Sequence, residues 1–129
     1  MDGVRLEERG SAVTEFILVG ALLTTLTLAV LQLGFALYVR NVAHDAAVEG
    51  AYHAALADTE LGSGADRAAE LITRGVGEAY GHEASASTAV VSGVDSAVVT
   101  VTATLPLVGL LGAPSGLEVT AHAPLESLE

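Results

Sequence analysis

The chain has 129 residues, no cysteine, no lysine and no tryptophan, with a formal net charge of −11. Without cysteine there is neither disulfide scaffolding nor thiolate chemistry. The acidity is uneven: residues 41–129 carry twelve acids against two arginines, a net of −10, whereas residues 1–40 net −1. A surface of that sign disfavours nucleic acid and electrostatic adhesion to anionic lipid.

The first ten residues, MDGVRLEERG, read as a short charged leader ending in Gly10. Five residues later Glu15 stands at the mouth of an uncharged run from Phe16 to Val39. As a helix those 24 residues span about 36 Å, against about 30 Å of hydrocarbon, enough to cross a bilayer with some tilt. A cleavable secretory signal has a shorter apolar region of about 7–15 residues closed by a small-x-small site, so a retained anchor is the better reading. Arg5 and Arg9 precede the run and Arg40 follows it, which favours the N-terminus inside and the acidic part outside. Glu15 is then costly, because an acidic side chain at the centre of a membrane helix is worth about 2.5–3.5 kcal/mol against insertion, less near the interface.

Within the run, Gly20, Thr24, Thr27, Leu31, Gly34 and Tyr38 follow a 4-3-4-3-4 spacing and share one helical stripe. Helices in lipid associate where small residues let backbones approach and hydroxyls can bond across, so this stripe is the expected packing face.

Beyond Arg40 the proline-free, alanine-rich stretch NVAHDAAVEGAYHAALADTE continues the helix to about residue 60. Val48, Tyr52, Ala55 and Leu56 make an apolar face at i, i+4, i+7 and i+8. Gly50 weakens it by about 1 kcal/mol relative to alanine. Gly62 and Gly64 mark a loop, and Ser63 with Asp66 resembles a capping box opening a second helix. Ala65, Ala68, Ile72, Val76 and Ala79 form its apolar stripe, Glu70 and Arg74 an i,i+4 pair, and Gly81 its end, with Gly75 and Gly77 fraying the last turns.

From residue 84 the period becomes two. Residues 84–92 form a weak strand and 92–95 a turn. In 96–105, Ala97, Val99, Val101, Ala103 and Leu105 alternate with Val98, Thr100, Thr102 and Thr104. In 117–123, Leu117, Val119, Ala121 and Ala123 alternate with Glu118, Thr120 and His122. Three antiparallel strands with one face under helix make an α+β head, and the aliphatic stretch 106–116 either folds over its edge or forms an exposed contact patch.

The arrangement G-x4-E ahead of an apolar helix resembles the type IV prepilins and pseudopilins. The run AAVEGA at 46–51, just after the helix, is similar to the TadE-like minor pilins of tight-adherence pili. Val48 stands where that family often has a basic residue. The resemblance implies cleavage between Gly10 and Ser11 by a membrane prepilin peptidase, making Glu15 the fifth residue of the mature chain. It also implies that the Ser11 amine of a neighbouring subunit partners Glu15 and sets the stagger of packed helices. The expected organisation is a cleaved leader 1–10, a long helix 11–60 with its transmembrane part at 16–39, and an extracytoplasmic head 61–129. The implied role is a structural pilin-like subunit in the bacterial cytoplasmic membrane or the pilus. Its partners would be other pilins, the peptidase, the assembly platform and the lipid membrane. A second reading is an anchored extracytoplasmic binding module that does not polymerise.

Catalysis needs a constellation, and none is present: no nucleophile elbow and no phosphate-cradling glycine loop. Asp45, Glu49 and His53 fall at i, i+4 and i+8 with His44 beside them, a spacing that can share a metal. A solvated polar stripe is the simpler reading. His82 is expected in a loop and His122 on an exposed strand face. No enzyme, cofactor or metal is expected.

Overall fold

The computed structural model describes residues 3–78, 82–105 and 116–127. Two helices and three strands follow one another: α1 (Gly3–Ala55), α2 (Leu61–Val76), β1 (His82–Val91), β2 (Val94–Ala103) and β3 (Leu117–Pro124). The chain separates into two units, Met1–Gly34 and Phe35–Glu129.

The strands lie in the order β1-β2-β3, antiparallel throughout. Register follows the alternation in the sequence. Ala84, Val101 and Val119 share one row, as do Ala86, Val99 and Ala121, and Thr88, Ala97 and Ala123. Ala97, Val99, Val101, Ala103, Leu117, Ala121 and Ala123 are buried, so this is the face turned to the helices. The opposite face carries Ser85, Thr100 and Thr120 in one row, with the two threonine hydroxyls 3.2 Å apart. Ser92 and Gly93 both take positive φ, 52° and 82°, closing the β1–β2 hairpin as the two-residue turn whose twist matches that of the strands.

Several expectations need correction. The 84–92 segment is not a weak strand but a full partner of β2, starting at His82. His82 is thus in β1 rather than a loop, with Nε2 3.2 Å from the Thr73 hydroxyl. The first helix ends at Ala55, short of residue 60. Gly62 and Gly64 are not in a loop, because α2 begins at Leu61. No side chain caps it: Glu60 takes the extended N-cap position, and the Ser63 hydroxyl donates backward to the Glu60 carbonyl at 2.6 Å. Gly77, at φ 84°, ends α2, and its N–H donates to the Thr73 carbonyl. Ala79, Gly81 and residues 106–115 lie outside the described residues.

The buried face of α1 also differs from the expected one. Val39, Ala43, Ala46, Ala47, Ala51, Ala54 and Ala55 are buried, while Val48 is half-buried and Tyr52 and Leu56 are exposed. Size explains the choice. An alanine face lets the helix backbone approach its neighbours closely, and the glycines extend that logic. A Cβ on Gly50 would fall 2.6 Å from the Gly64 carbonyl oxygen and 3.0 Å from the Ala68 Cβ. A Cβ on Gly64 would fall 2.5 Å from the Ala54 Cβ and closer still to the Gly50 carbonyl. A Cβ on Gly75 would meet a Val42 methyl at 2.6 Å. Gly64 against Gly50 and Gly75 against Val42 set α2 antiparallel to α1, and the Tyr38 hydroxyl donates to the Gly75 carbonyl at 3.0 Å. Gly50 and Gly75 are therefore packing residues rather than weak points. Polar contacts on the surface add little: Arg67 reaches Glu70 at 3.3 Å and Glu49 at 3.6 Å, and Arg74 pairs with Glu70 as its spacing suggests. Exposed pairs of this kind contribute about 0.2–1 kcal/mol.

Two glycines two residues apart, on different sides of α2, give a paired test. Gly64→Val should destabilise the head by about 2 kcal/mol or more, since overpacking costs about 1–3 kcal/mol and here the obstacle is backbone. Gly62→Ala, with open space around its Cβ position, should be neutral or stabilising by up to about 1 kcal/mol. Thermal unfolding of the detergent-solubilised chain measures both, and equal effects would contradict the helix-crossing account.

Candidate functional site

The first unit is the part of α1 that ends at Gly34. Its apolar side chains are exposed around the whole circumference: Phe16 is 79% accessible, and Ile17, Leu18, Leu22, Leu23, Leu26, Leu28, Val30, Leu31 and Leu33 all lie open. An 18-residue window reaches a mean hydropathy of 2.2 with none of it buried within the chain. Such a surface is consistent with a single-pass membrane anchor, where lipid supplies the contacts that the protein does not.

Hydroxyls in hydrocarbon must be satisfied, and here the helix does it locally. Thr14 donates to the Gly10 carbonyl at 2.9 Å, Thr24 to Gly20, Thr25 to Ala21 and Thr27 to Leu23, each at 2.8 Å. This back-bonding one turn down the helix is how threonine enters an apolar helix without an orphan donor. It also qualifies what the stripe offers: Thr24 and Thr27 present small volume and an acceptor oxygen, since their protons are engaged. Gly10, Gly20 and Gly34 differ from Gly50, Gly64 and Gly75 of the head, because a Cβ built on any of them would meet nothing within 4 Å. Tyr38, placed on the same stripe by spacing, bonds instead to Gly75 in the second unit, and its ring stacks on Phe35 with centroids 6.1 Å apart. Glu15 lies exposed on the helix, and among the described residues no side chain donates to it.

Among the described residues, no group of three or more His, Asp or Glu side chains is arranged to hold a metal ion. His44 and Asp45 are exposed, and Glu49 faces Arg67 across 3.6 Å. His122 lies exposed on the outer face of β3, as the alternation indicates. What spacing alone did not reveal is the role of Gly64 and Gly75; the signal was their eleven-residue separation, three helical turns, on a helix that otherwise reads as frayed.

Residues 10–51, 42 of the 129, match the model of the family described as TadE-like protein. No curated protein and no solved structure matches. The match opens on Gly10, spans Glu15 and the apolar helix, and closes on Ala51 at the end of the AAVEGA run, so over this segment the sequence is similar to the TadE-like family, consistent with a TadE-like protein of Tad pili.

Proposed function

We propose that this chain is a structural minor pilin or pseudopilin of a tight-adherence pilus, processed between Gly10 and Ser11 and assembled through its membrane helix. The observation that carries the reading is the family match beginning at Gly10, on a helix whose Glu15 and open glycines have no use within the chain. TadE-like proteins are pilus components rather than enzymes, and the head offers nothing that argues for catalysis. The N-terminus lies inside and the head outside, following the arginine bias. The bilayer covers α1 from about Phe16 to Gly34: Val39 is buried in the head and Tyr38 is bonded to Gly75, so both are occupied by protein. Those 19 residues span about 28 Å, close to the hydrocarbon thickness.

Cleavage does two things for the helix. It removes the charged residues 1–10, and it leaves an α-amino group on Ser11 that is charged at neutral pH. A carboxylate at the hydrocarbon boundary needs a cationic partner, and the Ser11 amine of a staggered neighbour can supply it. Glu15 thus sets register between subunits, and the stripe of Gly20, Thr24, Thr27 and Gly34 sets how closely the helices lie. The glycines support this: each costs its own helix up to about 1 kcal/mol relative to alanine, and no internal contact explains them.

Processing is tested by intact mass. Mature protein from cells making the peptidase should begin at Ser11, and Gly10→Leu should leave it full length; an intact Met1 on wild-type protein would remove the cleavage step. Glu15→Ala should insert into the membrane normally yet enter pili roughly a hundredfold less, because leaving one member of a buried ion pair alone costs about 3 kcal/mol or more. Wild-type incorporation of that variant would return Glu15 to a solvated interfacial role. The stripe is tested separately by single cysteines in a chain that has none. Thr24→Cys and Thr27→Cys should crosslink to a neighbouring helix several times more strongly than Leu22→Cys or Leu26→Cys, which lie on the opposite side. Equal yields around the helix would eliminate the stripe.

A further inference from the structure

The head segment of α1 has two apolar faces, and only the alanine face is used. On the other, Tyr52 is 62% accessible and Leu56 41%. Together with His53, Pro124 and Glu126 they border a hollow of about 310 Å³ that Glu49 and Ala55 also line. The residues after β3 are pinned beside it: the Glu126 N–H donates to the Ala55 carbonyl and the Leu125 N–H to the Asp95 carbonyl, both at 2.9 Å. Leu125 itself is 38% accessible. The hollow is therefore formed in the isolated chain and largely apolar, with carboxylates on its edge.

What fills it follows from position and charge. Tyr52 is thirteen residues past Val39, about 20 Å along the helix, which puts it outside the bilayer. A second copy fits poorly, because each copy brings residues 41–129 with a net of −10 and no lysine. The two head arginines are already turned to Glu49 and Glu70. Exposed tyrosine and leucine around a hollow with an acidic rim complement a surface that offers one large apolar side chain flanked by lysine or arginine. We infer that the Tyr52–Leu56 hollow docks a different protein subunit bearing such a basic-rimmed apolar anchor. This inference rests on the reading of the chain as one member of a multi-protein assembly.

The test places p-benzoylphenylalanine at Tyr52 of the full chain, in cells producing the complete pilus system, with the same photo-crosslinker at Ser87 on the exposed outer sheet face as control. Thr24→Cys in a parallel strain reports membrane-helix assembly independently. A single crosslinked product at position 52, identified by mass spectrometry as a protein other than this chain, absent at Ser87 and reduced at least tenfold by Glu126→Lys or Leu56→Ser, is the expected result. Both substitutions sit at exposed positions, and unchanged thermal unfolding confirms that the head remains folded. A product of two copies of this chain, a lipid adduct, or a product indifferent to both substitutions overturns the inference. Crosslinking at Thr24 with none at Tyr52 overturns the docking surface while leaving the assembly reading intact, and silence at both positions overturns the two together.

Discussion

Gly50 of α1 and Gly64 of α2 meet through their backbones, with no room for a Cβ on either, and the head is organised around that approach. Its buried residues are mostly alanine and valine, and the largest fully buried side chain is Ile72. Small side chains fill space only if the elements that carry them come close, because dispersion falls steeply with separation and an unfilled gap forfeits it. The glycines remove the last obstacle where the helices cross, Gly75 does the same against Val42, and α1 can then rest on Val99 of the central strand. Lengthen one of these contacts by a methyl group and the alanine core loses contact along its whole length, since alanines have no reach with which to compensate.

That constraint explains which parts of the fold were legible beforehand. The second and third strands and their exposed and buried faces were, because alternation over eight to ten residues has one structural meaning when one face is covered. The hairpin turn was visible for the same reason. The helices were legible as helices, but their glycines were misjudged. Gly62, Ser63 and Gly64 look like a loop in composition, and only the position of α1 shows that Gly64 is a contact. Tyr52 and Leu56 look like core because they are large and apolar, yet a crossing this tight excludes them in favour of alanine. His82 was assigned to a loop because nothing in the sequence announces the Thr73 hydroxyl that lies beside its ring. In each case the missing information was the distance between two elements, which no local pattern carries.

The membrane helix reverses the relation. Its candidate residues were legible as chemistry: a glycine before a small-residue stretch, a carboxylate at the edge of hydrocarbon, and small residues at helical spacing. The folded chain then adds an argument from contrast. Gly50, Gly64 and Gly75 of the head have neighbours that forbid a side chain, whereas Gly10, Gly20 and Gly34 have open space. Threonines in the same stretch satisfy their own donors. This helix satisfies its own polar groups and leaves its outer surface to its surroundings, as the proposed packing against another chain requires.

Read together, the two units divide the work of association by solvent. In the bilayer, large apolar side chains gain nothing by leaving lipid, so affinity has to come from close backbone approach and from the one ionic demand that lipid cannot meet, at Glu15. Outside, water makes burial of Tyr52 and Leu56 favourable, while the excess of acids makes homotypic contact costly and favours a basic partner. On the proposed reading, the membrane contact would be shared among similar helices, because glycine, threonine and a glutamate–amine pair discriminate little between subunits. Discrimination belongs to the head, where charge opposes the chain's own copies. On the proposed reading, such a subunit would be admitted to an assembly by its helix and assigned its neighbour by its head.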